Sequence, residues 1–567
     1  IEALARSLPL PVPSGAVAAD IADTVLRLQL AVHGNSFEGA PEGRFRLLNR
    51  DYDFGGIDGI SWRGEFHEGN NPLRRMNLAY MGYAVPLLAR GEANDLAAAR
   101  RILASLADQN PWSEPGVFRD VWNAYTASHR LLNLLSGLAL YRRAGGPPDA
   151  EAEREILEHV RFCAAFVRAN LERDLQFNHL MKNYVALTAY SAMCDAVPWR
   201  FGILREAVPR SLRQNVLPDG GHAERSPMYH ILALLDVRIF AEAGIFVEEW
   251  QPFVDETHAR MTAAVHAMSL ADGEVALMND SWTGEAPYPD EFVSLTRTEP
   301  VERLTETGYV RLGIGGDSVV LDCGPCGPDE NPGHAHADFL TVEATAAGRR
   351  FLVDTGVPTY TAGPERDASR SAAAHNGPRV ADAEPIEFWK SFRVGRRGYS
   401  GELDTSGFET AAPLCSAAWQ SGYSHLGIDV RRFVGLWPGE GLLVADLWRP
   451  GTDRGSDTGT ERGMVSFLVP DEWTQDGERT FLQEETRLRI VPLVGDMTGP
   501  APDSHWYRFG VEQPAYRLDL RPRRAGGEAR AAVYFDWSSG ATPPDGEALD
   551  RLFTDLAAAI PLVRNLG

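Results

Sequence analysis

The chain reads as a multidomain α plus β protein, an N-terminal (α/α) toroid followed by a large antiparallel β-sandwich. Three observations predict this. At 567 residues it exceeds what one hydrophobic core usually serves. From about Ala16 to Ala271 apolar residues recur at three- and four-residue steps, the period of helices. After Pro287 short alternating or β-branched runs take over, divided by turns rich in Gly, Asp and Pro.

The helical periods cover Leu96–Leu106, Ala127–Tyr141, Ala152–Leu171, Tyr184–Met193, Tyr229–Ala243 and Val254–Met268. Pro/Gly breaks such as Gly145–Pro148 and Pro218–Gly221 separate them. Six or more helices with short connections predict a toroid rather than a small bundle. The strand-like runs are Tyr309–Ile314, Ser318–Asp322, Phe339–Ala344, Phe351–Val353, Gly441–Ala445, Met464–Leu468, Thr486–Val491 and Ala531–Phe535. They predict a sandwich. The boundary is expected between Gly284 and Gly308, giving domains 1–295 and 296–567, and Thr452–Thr460 reads as a polar loop.

Composition narrows the function. With 55 Lys+Arg against 78 Asp+Glu, the net charge is −23. A field of that sign disfavours nucleic acid and anionic membrane, although a local basic cleft can still receive an anion. No apolar run reaches the length of a membrane span. Ile1-Glu2-Ala3 lacks a charged start before an apolar stretch. A start at Ile leaves a removed leader open, so a periplasmic or secreted location stands beside a cytoplasmic one. Five cysteines, an odd and sparse set, argue against a disulfide framework. Cys323-Gly-Pro-Cys326 spells a redox motif, but that chemistry needs a helix to begin there, and a Gly/Pro-rich loop follows instead. Two incidental loop cysteines are expected.

Four constellations carry chemistry. The first holds His334 and His336 in Gly-His-Ala-His-Ala-Asp, Asp354 in Leu-Val-Asp-Thr-Gly, and His375 in Ala-His-Asn. Imidazole and carboxylate are ordinary zinc ligands. If the His-x-His segment is extended, its two imidazoles face opposite sides, one toward a metal and the other toward a substrate. The same residues also read as separate polar groups on strand edges. The second is Asn178-His179-Leu-Met-Lys182-Asn183. With a helix starting near His179, residues 179, 182 and 183 share a face suited to an anion such as a carboxylate. Taken locally, a helix capped by Asn178 with a solvated charged turn is the favoured reading of the pattern. The third is Asp219-Gly-Gly-His222-Ala-Glu224-Arg225-Ser226-Pro227-Met-Tyr229. Pro227 suits the first turn of a helix, which projects Tyr229 from that turn, either as a core residue with its hydroxyl at the rim or toward a ligand. The fourth gathers arginines around the metal segment: Arg366, Arg370, Arg393, Arg396 and Arg397, the residue type for bidentate carboxylate or sulfate recognition.

Taken together these stretches resemble the heparinase II/III-like polysaccharide lyases. The resemblance rests on Asn178-His179-Leu, Asp219-Gly-Gly-His-x-Glu-Arg-Ser-Pro-Met-Tyr229-His, Gly327-Pro-Asp-x-Asn-Pro-Gly-His-Ala-His-Ala-Asp338, Val353-Asp-x-Gly356 and Arg370-Ser-x-x-x-His375-Asn. Weaker echoes are Asn77-Leu-x-Tyr80 and Trp122-x-x-Tyr125-x-x-Ser128-x-Arg130. It implies an α/α toroid paired with a sandwich and β-elimination of uronate-containing polysaccharides in a cleft between them. It implies that Tyr229 and His334 form the proton-transfer pair, that Asn178 and His179 hold the uronate carboxylate, and that His336, Asp354 and His375 bind one structural zinc. His222, Glu224, Arg225, Lys182, Arg370 and Asn376 are expected at the substrate. The family often has Glu where this chain has Lys182, and an ammonium there favours a more anionic subsite.

The expected partner is an anionic polysaccharide, with no nucleic acid, no membrane insertion, no organic cofactor, and a homodimer left open. Heparin- or heparan-like chains lead alginate- and hyaluronan-like ones. A glycan-binding or biosynthesis-associated homologue without turnover is the second reading, supported by Lys182. Glycoside hydrolysis ranks last, because it needs two carboxylates across the cleft and no partner for Glu224 is evident.

Overall fold

The computed structural model describes residues 1–64, 72–194, 202–246, 249–295, 299–408, 411–451, 459–538, 540 and 542–562. Most of the expected polar loop, residues 452–458, lies outside them. By packing the chain divides into two compact units. One takes Ile1–Val216, Ile231–Arg260 and Gly284–Pro287; the other takes Leu217–His230, Met261–Thr283 and Tyr288–Gly567. The expected division at 295/296 follows the order of helices and strands along the chain. Packing assigns Leu217–His230, Met261–Thr283 and residues 288–295 to the unit that holds the main sheets.

Each helical period becomes a helix, four of the six longer than the apolar pattern. Ala93–Gln109, Ala124–Arg143, Ala150–Ala169, Phe177–Ala192, Pro227–Ala243 and Gln251–Ala264 are the six. Asn123 caps the second, accepting from the Thr126 N–H at 2.7 Å, and Asp149 caps the third through Glu151 and Ala152. The Trp122–Arg130 motif proves architectural. Arg130 is fully buried, donates to the Ala79 and Val121 carbonyls at 3.0 Å, and lies 4.8 Å over the Trp122 ring.

The strand half holds three main antiparallel sheets, of nine, five and four strands. The five-stranded sheet runs in chain order through Val301–Leu304, Tyr309–Ile314, Asp317–Asp322, Val342–Ala346 and Arg349–Leu352. Its alternation fills two layers. Val319 and Leu321 join Val430, Trp448, Phe467 and Phe535 in a core shared by all three sheets. Val320, pointing the other way, packs on Met268, Leu270 and Met278. The far face of the nine-stranded sheet is covered by the helix Gly546–Ala558 through Leu549, Leu552, Phe553 and Leu556. The strand expected from Phe339 begins at Val342, because Leu340 adopts φ +59° and the Thr341 N–H closes a turn onto the Asp338 carbonyl. Cys323 and Cys326 are buried in a loop with no helix after them, as expected.

Candidate active site

Four loops of the second unit meet at one carboxylate. Asp280 is fully buried. Its Oδ2 accepts from His334 Nδ1 and its Oδ1 from His336 Nε2, both at 2.9 Å. Arg366, in the short helix Pro364–Arg370, grips the same carboxylate in bidentate fashion at 2.5 and 2.8 Å. The backbone is fixed as firmly. Asn279, at φ +55°, sends its N–H to Asp338, its amide N–H to the Arg225 carbonyl, and accepts from the His336 N–H. Asp280 N–H donates to the His334 carbonyl, and the Ser226 hydroxyl donates to the Asp280 carbonyl. Loops 222–229, 279–282, 334–338 and 360–366 are thereby tied together.

The His-x-His expectation is corrected here. Residues 334 and 336 lie in a turn-rich loop, not a strand. With no alternation imposed, both imidazoles point to Asp280. The division of labour survives in another form, set by which ring nitrogen remains. His334 is 13% exposed at its side chain, with Nε2 3.9 Å from Glu224; His336 is buried, with Nδ1 lacking a hydrogen-bond partner.

Tyr229 projects from the first turn of Pro227–Ala243, its N–H donating to the Ser226 hydroxyl at 3.2 Å, as the Ser-Pro pattern predicts. Its ring stands 4.1 Å from the His334 ring at 32°, centroid to centroid. Its hydroxyl is 3.5 Å from that of Tyr360, whose ring lies under Arg366 at 4.7 Å. Tyr229 is half-buried, and with His334 it reaches solvent, while Asp280, Arg366, His222 and Glu224 do not.

Electrostatics follow from these neighbours. Burial opposes charge on Asp280, but Arg366 and the two histidines more than offset it and hold the carboxyl well below its usual range. Burial likewise opposes charge on His334, yet Glu224 and then Asp280 raise it above an ordinary histidine. His336 and His222 are each pushed down to about 3, chiefly by burial.

The residues expected to hold zinc lie close together. The His336 and His375 rings are 5.3 Å apart, and His375 Nδ1 donates to Asp354 Oδ2 at 2.8 Å. Those hydrogen bonds leave lone pairs on His336 Nδ1 and His375 Nε2, both buried without a hydrogen-bond partner. Two such nitrogens fit a divalent cation, with Asp354 in the place of the carboxylate that orients a ligating histidine. Among the described residues no three His, Cys, Asp or Glu side chains form a ready metal cage.

Several expected substrate contacts face the protein instead. Arg225 spends its guanidinium on the carbonyls of Thr307, Ala223 and Glu306. Arg370 donates to the carbonyls of Ala335, Lys390 and Ser391, and Asn376 to those of Val342 and Val353. His222 is fully buried. The two guanidiniums and the Asn376 amide satisfy backbone carbonyls, which is why those positions carry donors.

In the helical unit, the helix carrying Asn178 and His179 starts at Phe177 after Gln176, so Asn178 sits inside the first turn rather than capping it. Both are half-buried, and His179 packs 4.3 Å from Tyr125, with its Nδ1 3.5 Å from Glu172. Lys182, expected to face an anion, is buried and donates to Asp236. Sequence reasoning missed this partner, 54 residues away. Lys182→Met is expected to cost about 3–5 kcal/mol by stranding Asp236. Adding Asp236→Leu is expected to restore most of that in thermal unfolding. Equal stability of the single variant and wild type would remove the ion pair from the account.

The geometry prepares the comparison with known proteins. Residues 296–509 match the family model described as Heparinase II/III-like, C-terminal. Over that stretch the strand half is similar to heparinase II/III-like C-terminal domains. A heparin-sulfate lyase of Pedobacter heparinus is 25% identical over 221 residues, a match covering 33% of this chain and 32% of the relative. The chain thus spans about a third of that curated relative's length in the match. A heparinase III crystal structure aligns with a TM-score of 0.66 at 16% identity, over 94% of this chain and 87% of that one. A mutant of a heparan sulfate lyase from Pedobacter heparinus gives 0.58 at 16%, over 96% and 86%. At that identity the likeness speaks for the fold, and the expected toroid plus sandwich is borne out, as is the resemblance to the heparinase II/III-like family.

Proposed function

We propose that this protein is a polysaccharide lyase that cleaves uronate-containing glycans by β-elimination. The Tyr229–His334 pair carries the reading: two proton-transfer groups in ring contact at the surface, anchored from behind by a buried Asp280–Arg366 pair. In the reaction a base removes the C5 proton of the uronate, the C4–O4 bond breaks, a C4–C5 double bond forms, and an acid protonates O4. Tyr229, half-buried and with its ring 4.1 Å from that of His334, is assigned the base role. His334, whose pKa Glu224 and Asp280 raise against the cost of burial, is assigned the acid role. Asn178 and His179 are assigned the uronate carboxylate, whose neutralisation makes the C5 proton removable. A heparin- or heparan-like substrate is favoured by the relatives' names.

The rival readings lose support. Lys182, the mark of a non-catalytic homologue, is neutralised by Asp236. Asp280 supplies the second acid that hydrolysis needs beside Glu224, but it is buried and committed to Arg366 and two histidines.

A zinc ion would be held by His336 and His375, with Asp354 orienting His375. When bound it would supply a fixed charge that ties loop 334–338 to the segment carrying His375. His336→Ala and His375→Ala are expected to lose zinc and to lower the melting temperature. Wild type should lose the same increment on chelation, about 4 kcal/mol if zinc stands at a thousandfold its dissociation constant. A zinc-free wild type indifferent to chelator would sink this part.

The test of function is an assay on heparin, heparan sulfate, heparosan, hyaluronan, chondroitin sulfate and alginate, read by ultraviolet absorbance of the unsaturated uronate. A rising signal with heparan-type chains is expected. Silence across the panel from folded protein would reject the proposal.

A further inference from the structure

Ten consecutive residues, Phe388–Arg397, carry four cations and no acid in a chain of net charge −23. They include Lys390, one of only two lysines among 567 residues. The other is the buried Lys182.

Within this stretch Phe388–Trp389 and Arg393–Val394 pair as a short antiparallel hairpin, with Arg393 opposite Trp389. Lys390, at φ +57°, turns the chain. Trp389 is 51% exposed, with Lys390 Nζ 5.7 Å and the Arg393 guanidinium 5.8 Å from its ring centroid. Neither cation pairs with a carboxylate among the described residues.

The hairpin's other side belongs to the site. Phe392 sets its ring 6.3 Å from His334 and 5.3 Å from Tyr360, edge-on to both, and Arg366 lies 5.7 Å over its face. The Ser391 carbonyl accepts from the buried Arg370 at 2.9 Å. The turn of the hairpin is thus pinned by buried arginines, while the Trp389, Lys390 and Arg393 side chains stay in solvent. An exposed indole flanked by two cations gains about 0.5–1 kcal/mol per cation, which does not account for concentrating unpaired positive charge here in an acidic protein.

We infer that the hairpin Phe388–Val394 is a glycan subsite: Trp389 stacks on a pyranose ring, and Lys390 and Arg393 bind its carboxylate or sulfate groups. Trp389 and Phe392 are three residues apart, at most about 10 Å of chain at ~3.3–3.6 Å per residue. The subsite therefore takes a sugar one or two units from the one against His334. The identity of the ligand rests on the lyase reading; the site itself does not.

Because Lys390 is the exposed lysine, amine acetylation followed by peptide mass spectrometry reports on this hairpin directly. The experiment labels wild type and Tyr229→Phe with and without heparin, heparosan and hyaluronan. At least fivefold protection of Lys390 by one glycan is expected in both proteins. Trp389→Ala and the Lys390→Gln/Arg393→Gln pair are expected to raise KM for that glycan about tenfold, with kcat within twofold. Equal labelling with and without every glycan would overturn the subsite, whether or not wild type forms unsaturated product. Product formation separately decides the lyase reading.

Discussion

Tyr229→Phe is expected to fold as wild type and to lose about 10²–10⁴ of kcat, the range for removing a positioned proton-transfer group. The substitution deletes one oxygen and leaves the ring, so the 4.1 Å contact with His334 and the edge contact with Trp282 at 6.4 Å should persist. The hydroxyl's contact is with Tyr360 at 3.5 Å, too long to carry much stability. A large kinetic effect with little change in melting temperature is therefore the signature of chemistry rather than packing. Near-normal kcat would remove Tyr229 from the reaction.

Asp280 is expected to give the largest combined effect. Asp280→Ala leaves Arg366, His334 and His336 without their shared partner in a buried setting, a loss of about 3–5 kcal/mol. Asp280→Asn is the cleaner variant. Its volume is kept, but an amide offers one accepting oxygen where four N–H groups converge on two, and its NH₂ faces two of them. His334 then loses the hydrogen bond that fixes its ring, and kcat is expected to fall about a hundredfold or more while KM changes a few-fold. A folded Asp280→Asn enzyme with wild-type kcat would show that Asp280 supports the fold alone.

Much of this was legible in the sequence, and the gaps have physical causes. Tyr229 could be placed because Ser226-Pro227 is a local signal, a cap and a first-turn proline acting within three residues. The toroid helices were readable because their periods are long. His334-Ala-His336 would send its imidazoles to opposite faces only if extended; it lies in a turn-rich loop, where no ladder imposes alternation. Lys182 shows the limit more sharply. Its local pattern suggested an anion site, but its charge is answered by Asp236, 54 residues on. Asp280 was invisible for the same reason: Asn279-Asp280-Ser281 has no period, and its partners come from residues 226, 334, 336 and 366. The arginines near the metal segment did matter, though Arg366 and Arg370 turn inward and the unpaired charge lies at Lys390 and Arg393.

The central claim is elimination, and the masses of the cut ends test it most directly. A defined uronate oligosaccharide is digested with wild-type protein and both fragments are weighed. The account predicts fragments whose masses sum to that of the substrate, with the unsaturated uronate on one of them. A sum larger by one water would mean hydrolysis and would contradict the roles given to Tyr229 and His334.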